Sequence, residues 1–348
     1  ELKSKDKITC NIIEKNPRYI KIDYKGSPIT YYTFEVESID GKPVSFAEKS
    51  QKEKSKHDSG EITQFDAVTA EDYLKRGIAY GSKGNFDQAI ADFNRAINVK
   101  NNFAEAYLNR GLTYMAANKP DLALADYSKA LEIDPKYEEA YYIRGLSFAD
   151  KGNPDKAIAD YTRAIEINPE YIQAYLNRAF LNINKGNFED AISDIGKIIS
   201  INPDVPVAYY MRGIAYTNKG NFEQAIADFS KAIKLKSDYA EAYAYRGLAR
   251  AYRARTDENK IDPNSPKAFI NIGPTYGNKA DFEQALSDCK KAIELNPKYA
   301  DAYVNRIKVC LLSQDYDLAW QDVRKLEELG YKVSPGLIEE LKKASGSP

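Results

Sequence analysis

Two stretches of this chain decide its fold: AYLNRGLTY at Ala106–Tyr114 and ALADYSKALEIDP at Ala123–Pro135. The same two patterns return after 34 residues as AYYIRGLSF at Ala140–Phe148 and AIADYTRAIEINP at Ala157–Pro169. A period of this length is typical of a solenoid, in which each unit buries its apolar face against its neighbours. The repeat therefore predicts stacked helix pairs, and it shifts the question of function from chemistry to binding.

Alignment on a small residue at position 8 of the unit predicts eight repeats between residues 70 and 333. Position 8 is mostly glycine and position 20 is mostly alanine, so the two helices of a unit can approach closely there. A tyrosine or phenylalanine at position 4 fills the space between helices. The repeats begin near Ala70, Ala104, Glu138, Ile172, Pro206, Ala240, Pro266 and Ala300.

The sixth repeat is irregular. The pattern resumes at Ile261 with IDP, which resembles the end of other units, so eight residues and most of a second helix are missing. The seventh repeat carries Pro274 inside its first helix, where proline costs about 3 kcal/mol. We therefore expect a kink or loop near 253–278. Its function would be that of a hinge or a docking site. The alternative is that the repeat has simply decayed and has no such function.

This pattern resembles the tetratricopeptide repeat (TPR) family in its bacterial-type form, whose unit is a helix–turn–helix of this length. The resemblance covers roughly residues 70–333 and implies a mainly α fold, an α-solenoid of eight repeats with one truncated. The family's usual tryptophan is tyrosine here, and its usual leucine at position 7 is arginine. Ser334 and Pro335 then fit an N-cap and a first helical position, which predicts a capping helix and tail over 334–348.

The first part of the chain has a different composition. Residues 1–47 are rich in β-branched and aromatic residues separated by turn-like KNP and KGSP, which predicts a small β module of three to five strands between 7 and 44. Residues 48–69 are polar and charged and are interpreted as a linker. The β segment resembles one that precedes TPR arrays in some exported bacterial proteins. With a first residue that is not Met, it favours an exported, periplasmic or extracellular location after signal removal, with the cytoplasm as the alternative.

The composition argues against catalysis. The 348 residues include a single histidine, His57, in a charged segment, and three cysteines at spacings that fit no zinc motif. No nucleophile, phosphate-binding or metal motif is found, so we expect no enzyme activity, no cofactor and no metal. A net charge of −1 argues against nucleic acid as a partner, and no apolar stretch is long enough to span a membrane. Cys289 and Cys310 take slots that hold aromatic residues in other repeats, which predicts that they are core residues.

Arginine recurs at position 7 and aspartate at position 23, inside otherwise apolar faces, which suggests partly buried bidentate pairs. If each aspartate pairs with the arginine of the next repeat, Arg246 and Asp288 both have a partner, whereas pairing within repeats would leave both without one. We therefore expect ion pairs between repeats. The alternative is that these charges are solvated and recur because the repeats share an ancestor. Only Arg76 and Asp322, at the two ends, would be left over. The expected pairs are Asp92–Arg110, Asp126–Arg144, Asp160–Arg178, Asp194–Arg212, Asp228–Arg246 and Asp288–Arg306.

In the family that the chain resembles, the first helices line a concave groove. Asparagine there can both donate to and accept from a peptide backbone, and tyrosine adds a flat apolar contact surface. The resemblance therefore implies a peptide groove, although solvated side chains would show the same pattern. Its expected residues are Asn109, Tyr142, Asn177, Asn184, Tyr210, Asn218, Tyr245, Asn271 and Asn305.

These observations predict a non-catalytic scaffold that binds a peptide or protein partner in the groove, with the β module as a second contact. The alternative is a structural subunit of a homo-oligomer or filament. In that case Arg76 and Asp322 would meet head to tail, or exposed strands of the β module would pair between copies.

Overall fold

The computed structural model describes residues 69–256 and 279–346, together with three strands near the N-terminus. The described residues fall into two compact units, one ending at Arg178 and the other beginning at Ala179. The boundary lies inside a helix, α7.

The first unit contains three strands, six complete helices and the start of a seventh. They are β1 (Asn11–Asn16), β2 (Tyr19–Tyr24), β3 (Ser27–Tyr32), α1 (Ala70–Gly81), α2 (Phe86–Val99), α3 (Ala104–Ala116), α4 (Pro120–Ile133), α5 (Glu138–Asp150), α6 (Pro154–Ile167) and α7 (Ile172–Lys185).

The second unit contains the end of α7 and the remaining helices. They are α8 (Phe188–Ile201), α9 (Pro206–Asn218), α10 (Phe222–Leu235), α11 (Ala240–Thr256), α12 (Lys279–Leu295), α13 (Ala300–Ser313), α14 (Tyr316–Glu328) and α15 (Pro335–Ser345). None of the helices in the described part of the chain is long and apolar enough to cross a membrane.

The three strands form an antiparallel sheet in the order β1-β2-β3, with Ile22 paired to Ile12 on one side and to Ile29 on the other. They lie within the range for which the sequence predicts a β module. The rest of that range lies outside the described residues, so the extent of the module and its role stay predictions. Cys10 and His57 lie outside the described residues as well.

Close helix approach within a repeat depends on the small residues that the sequence predicts. The alanines at position 20, such as Ala123 and Ala157, are fully buried. A Cβ at Gly145 would lie only 2.7 Å from Cε1 of Tyr161, so the ring of Tyr161 rests directly on the glycine backbone. The aromatic ring thus fills the space that a side chain at position 8 would need.

The residue at position 24 changes with the residue at position 8. Where position 8 is glycine in the regular repeats, position 24 is phenylalanine or tyrosine. Ala179 is accompanied by Ile195 instead, and Ile307 by Val323, and all four side chains are buried. Position 8 and position 24 therefore share one packing volume, because a core packed at crystal-like density admits only one large group there.

Helix α11 packs against a helix that lies further along the chain than the second helix of a regular repeat. Arg246 on α11 binds Asp288 on α12, 42 positions away, whereas regular partners are 16 positions apart. Gly247 on α11 also lies against the backbone of Ala285, because a Cβ there would be 2.7 Å from its carbonyl oxygen. Thus the sequence that was assigned to the seventh repeat supplies the second helix for the first helix of the sixth. Residues 257–278, where most of a second helix is expected to be missing, lie outside the described residues, so the kink or loop expected there stays a prediction.

The C-terminal helix and the cysteines follow the sequence predictions. Ser334 caps α15 by accepting a hydrogen bond from the Leu337 backbone, and Leu341 is fully buried in the core of the last helix pair. Cys289 and Cys310 are free and buried, and burial raises the pKa of the Cys310 thiol to about 12. Both cysteines therefore act as small core residues.

Candidate peptide-binding faces

The recurring charges pair within repeats, which contradicts the pairing between repeats. Nε and Nη2 of Arg144 each donate to the carboxylate of Asp160 at 2.8 Å, and Asp160 is in its own repeat. The end residues Arg76 and Asp322 are also paired. The same two-pronged contact joins Arg76–Asp92, Arg110–Asp126, Arg212–Asp228, Arg246–Asp288 and Arg306–Asp322.

The third nitrogen of the guanidinium group, Nη1, connects neighbouring repeats. Nη1 of Arg144 donates to the hydroxyl of Ser128, 16 positions earlier, at 3.1 Å. The same contact joins Arg178 to Thr162 at 2.8 Å and Arg246 to Ser230 at 3.1 Å, and Arg110 reaches Asn94. Arg110, Arg144 and Arg246 thus each hold their own repeat through a carboxylate and the preceding repeat through a polar side chain. The sequence signal for this contact is a polar residue two positions after the aspartate of the preceding repeat, as at Asn94, Ser128, Thr162 and Ser230.

Gly196 occupies this polar position in the repeat before Arg212. A Cβ at Gly196 would meet nothing within 4 Å, so a larger residue fits. We expect Gly196→Ser to raise the free energy of unfolding by about 1 kcal/mol, through better helix propensity and a new hydrogen bond from Arg212. Urea denaturation measures the change.

The matched variant is Gly196→Ala, which gains propensity alone. Serine is about 0.5 kcal/mol less favourable than alanine in a helix. Equal or greater stability of the serine variant therefore reports the hydrogen bond, whereas a serine variant weaker than alanine by that margin contradicts it.

In the first unit, a tyrosine cluster forms around Tyr142 on the first helix α5. The ring of Tyr142 lies 5.0 Å from that of Tyr171 and 5.8 Å from that of Tyr161, centre to centre. The amide of Asn177 donates to the Tyr142 hydroxyl at 3.1 Å and to the Gln173 carbonyl at 2.9 Å. Two of the expected groove residues, Tyr142 and Asn177, are therefore in direct contact.

Two further asparagines keep hydrogen-bonding capacity in the part of the chain that the structure describes. Asn109 donates one amide hydrogen to the Glu105 carbonyl at 2.8 Å, and Asn218 donates to the Ile214 carbonyl at 2.9 Å. An asparagine amide has two donor hydrogens and an acceptor oxygen, so each retains a donor and an acceptor. Asn184 is exposed.

In the second unit, a second aromatic cluster forms around Tyr210. Its ring lies 5.1 Å from Tyr239, 5.7 Å from Tyr245 and 6.0 Å from Phe229. Tyr210 is 7% exposed, so it supports the face by packing and presents little surface to a partner. Packing therefore argues against direct contact between Tyr210 and a partner. Tyr245, by contrast, is only partly buried.

Asn305 lies on α13, one helical turn after Asp301. It is 3% exposed, and its Nδ2 has no hydrogen-bond partner in the part of the chain that the structure describes. Asn271, the remaining expected groove residue, lies outside the described residues.

The carboxylates on these faces are held in apolar surroundings. Burial raises the pKa of Glu139, and the neighbouring charges of Glu138 and Glu105 raise it further. In the second unit, burial raises the pKa of Asp301 despite the charge of Lys308 and a hydrogen bond from Tyr299. For both carboxylates burial is the largest influence, and it favours the neutral form.

Tyrosines at the last position of a repeat contribute to both clusters, and the sequence reasoning did not select them. Tyr171 comes directly before α7 and contacts Tyr142, and Tyr239 comes directly before α11 and contacts Tyr210. Their sequence signal is the aromatic residue that recurs in front of the first helices, at Phe103, Tyr137, Tyr171, Tyr239 and Tyr299.

Comparison with solved structures shows the same fold. The C-terminal part of a TPR repeat-containing protein from Cytophaga hutchinsonii is 21% identical, with a TM-score of 0.55, over 77% of this chain and 99% of that one. A tetratricopeptide repeat protein from Parabacteroides merdae is 21% identical, with a TM-score of 0.54, over 80% of this chain and all of that one, 100%. At this identity the likeness concerns the fold alone.

A curated relative matches a short part of the chain. It is an uncharacterized protein from Methanocaldococcus jannaschii, 48% identical over 48 residues, which are 13% of this chain and 56% of that protein. The chain thus spans little more than half the length of that relative.

Family models match a larger part of the sequence. The tetratricopeptide repeat model matches residues 104–137, 138–171 and 206–239, and related TPR models match 77–118, 160–193 and 266–299. Together these matches cover more than half of the chain. With the helix pairs and their small-residue contacts described above, they establish that the chain belongs to the tetratricopeptide repeat family.

Proposed function

We propose that this chain is a non-catalytic interaction scaffold that holds an extended peptide segment of a partner protein on the first-helix faces of its repeats. The observation that carries the proposal is that Tyr142 and Tyr210 form aromatic clusters on first helices, while Asn109 and Asn218, also on first helices, each keep an unused donor and acceptor. Stacked repeats form extended concave surfaces that such proteins use for binding. The β module is a candidate for a second contact with the partner.

The side-chain chemistry suits an extended peptide. A peptide backbone alternates carbonyl acceptors and N–H donors, and the amides of Asn109 and Asn218 offer both. The tyrosines add large rigid contact surfaces at a low cost in conformational entropy. A partner that lay across one face would thus gain hydrogen bonds and apolar contact together.

The alternative, a subunit of a homo-oligomeric or filamentous assembly, loses one of its arguments. Head-to-tail contact was expected because Arg76 and Asp322 would be unpaired at the two ends. Arg76 instead binds Asp92, and Asp322 binds Arg306. The C-terminal end is also covered by α15, whose Leu341 is fully buried.

Site-specific photocrosslinking tests the binding face. We expect a photoreactive amino acid at position 184, which is exposed on the first helix α7, to crosslink a partner protein from an extract of the source cells. The same group at Lys197, exposed on the second helix α8, is the matched control and should give no such product. Crosslinking at position 197 but not at position 184 would place binding on the opposite face and refute the proposal.

A further inference from the structure

The surroundings of the carboxylates on the tyrosine-lined faces indicate which charge a partner would bring there. In the first unit, Glu139 is partly buried, and in the described part of the chain the charges that act on it, Glu138 and Glu105, are both negative. The neighbouring Tyr171 also feels the negative charge of Glu139. A buried carboxylate is normally compensated by a cation or by hydrogen bonds. Among the residues that the structure describes, no cation contributes to the pKa shift of Glu139.

The tyrosine rings beside this carboxylate suit a cation. Tyr142 and Tyr171 stand 5.0 Å apart, centre to centre, with their planes tilted by 45°. Aromatic faces attract ammonium and guanidinium groups, and they do so more strongly where water is excluded. A lysine or arginine side chain would therefore contact the rings and the carboxylate at the same time.

The second unit repeats this chemistry with other residues. The negative charge of Asp301 acts on both Tyr245 and Tyr299, and that of Glu241 also acts on Tyr299. Lys308 and a hydrogen bond from Tyr299 favour the charged form of Asp301, but burial outweighs both and raises its pKa. Each of the two faces thus places a carboxylate in apolar surroundings near tyrosine rings.

Asn305 adds an observation that charge does not explain. Its amide lies on the same side of α13 as Asp301, because residues four apart are neighbours on a helix. Its Nδ2 is buried without a partner among the described residues, which leaves a polar group at a cost of about 1–3 kcal/mol. Since Asn305 is only 3% exposed, it lies beneath this face, as Tyr210 does, and a bound peptide would have to displace neighbouring side chains to supply the missing acceptor.

We propose that the bound partner segment is cationic, an extended peptide whose lysine or arginine side chains lie against the tyrosines and carboxylates of these faces. This inference rests on the proposed function and adds the chemical class of the peptide. In each unit the carboxylate, Glu139 or Asp301, selects a basic side chain, and asparagines of the same unit bind the peptide backbone.

Three synthetic peptides of equal length test the charge. They share a Gly, Ser and Tyr framework and carry lysine, glutamine or glutamate at the same alternating positions. Fluorescence anisotropy with the full chain should show the lysine peptide binding at least about tenfold more tightly than the glutamine peptide, and the glutamate peptide most weakly. Added salt should reduce the preference, because exposed charges are screened.

Variants locate the effect. Combined Glu139→Gln and Asp301→Asn should weaken binding of the lysine peptide by about tenfold and so remove most of its preference over the glutamine peptide. The matched control combines Asp87→Asn and Glu223→Gln, which remove the same charge from exposed positions of the second helices α2 and α10. It should keep the preference, and thermal unfolding should show that both proteins are folded.

The outcomes separate the two levels of the proposal. Equal binding of the lysine and glutamine peptides, or tighter binding of the glutamate peptide, would overturn the cationic partner while peptide binding stands. A preference that survives in the 139 and 301 variant would also overturn it. Binding of none of the three peptides would count against the proposed function itself.

Discussion

Replacement of Asp160 by alanine is expected to lower the free energy of unfolding by about 3 kcal/mol, because it leaves the guanidinium group of Arg144 without its two-pronged acceptor. Asp160 is 7% exposed and Arg144 is 20% exposed, so the stranded charge cannot regain full hydration. Urea denaturation followed by circular dichroism measures the loss. Because repeat proteins unfold in parts, hydrogen exchange should show the loss concentrated in α5 and α6.

The first repeat supplies a matched comparison for this prediction. Arg76 also binds an aspartate, Asp92, but it is 49% exposed because no preceding repeat covers it. After Asp92→Ala, Arg76 can turn to water, so a smaller loss of stability is expected than for Asp160→Ala. An equal loss in the two variants would show that burial of the arginine does not set the cost.

A double-mutant cycle distinguishes the pairing within repeats from pairing between them. Arg144 and Asp160 should show a coupling energy of about 1–3 kcal/mol, whereas Arg144 and Asp126 should show less than about 0.5 kcal/mol. The reverse order would restore the pairing between repeats that the sequence favours.

Replacement of Gly145 by alanine is expected to destabilise the chain by about 1–3 kcal/mol, because the new methyl group overlaps a packed ring. The Cβ would lie 2.7 Å from Cε1 of Tyr161, 2.9 Å from its Cδ1 and 3.3 Å from the Ala157 carbonyl oxygen. The backbone contact limits how far the helix can move aside. Urea denaturation and hydrogen exchange of α5 and α6 measure the effect.

The chain itself provides the control and the compensating change. Gly196→Ala, with nothing within 4 Å of its Cβ, should stabilise rather than destabilise. Tyr161→Ile copies the residues at Ala179 and Ile195, so the double variant of 145 and 161 should lose at least about 1 kcal/mol less than the two single losses together. Strict additivity would refute the shared packing volume.

Much of the fold could be predicted from the sequence because a solenoid is built from local patterns. The 34-residue period, the glycines at position 8 and the buried alanines at position 20 together indicate helix pairs and their contacts. The cap at Ser334 and the burial of Cys310 follow from position in the repeat alone. Each of these inferences needs only the neighbouring part of the chain.

The candidate site could be predicted only in part. The sequence selects Tyr142 and Asn177, which do contact each other, but it also selects Tyr210, which packing largely buries. It does not select Tyr171, because an aromatic residue at the end of a repeat has the same pattern whether it packs inward or faces a partner. Exposure is a property of the assembled helices.

The sequence by itself determined that this protein is a TPR solenoid with arginine and aspartate at fixed positions in each unit. The tertiary structure decided which of these charges meet. Arg246 was counted as losing its partner because α12 was assigned to another repeat, and this assignment favoured pairing between repeats. In the folded chain α12 packs on α11, and Asp288 lies within 2.9 Å of the arginine. Position in a repeat fixes the type of each side chain, whereas a bidentate ion pair forms only between groups that folding brings into contact.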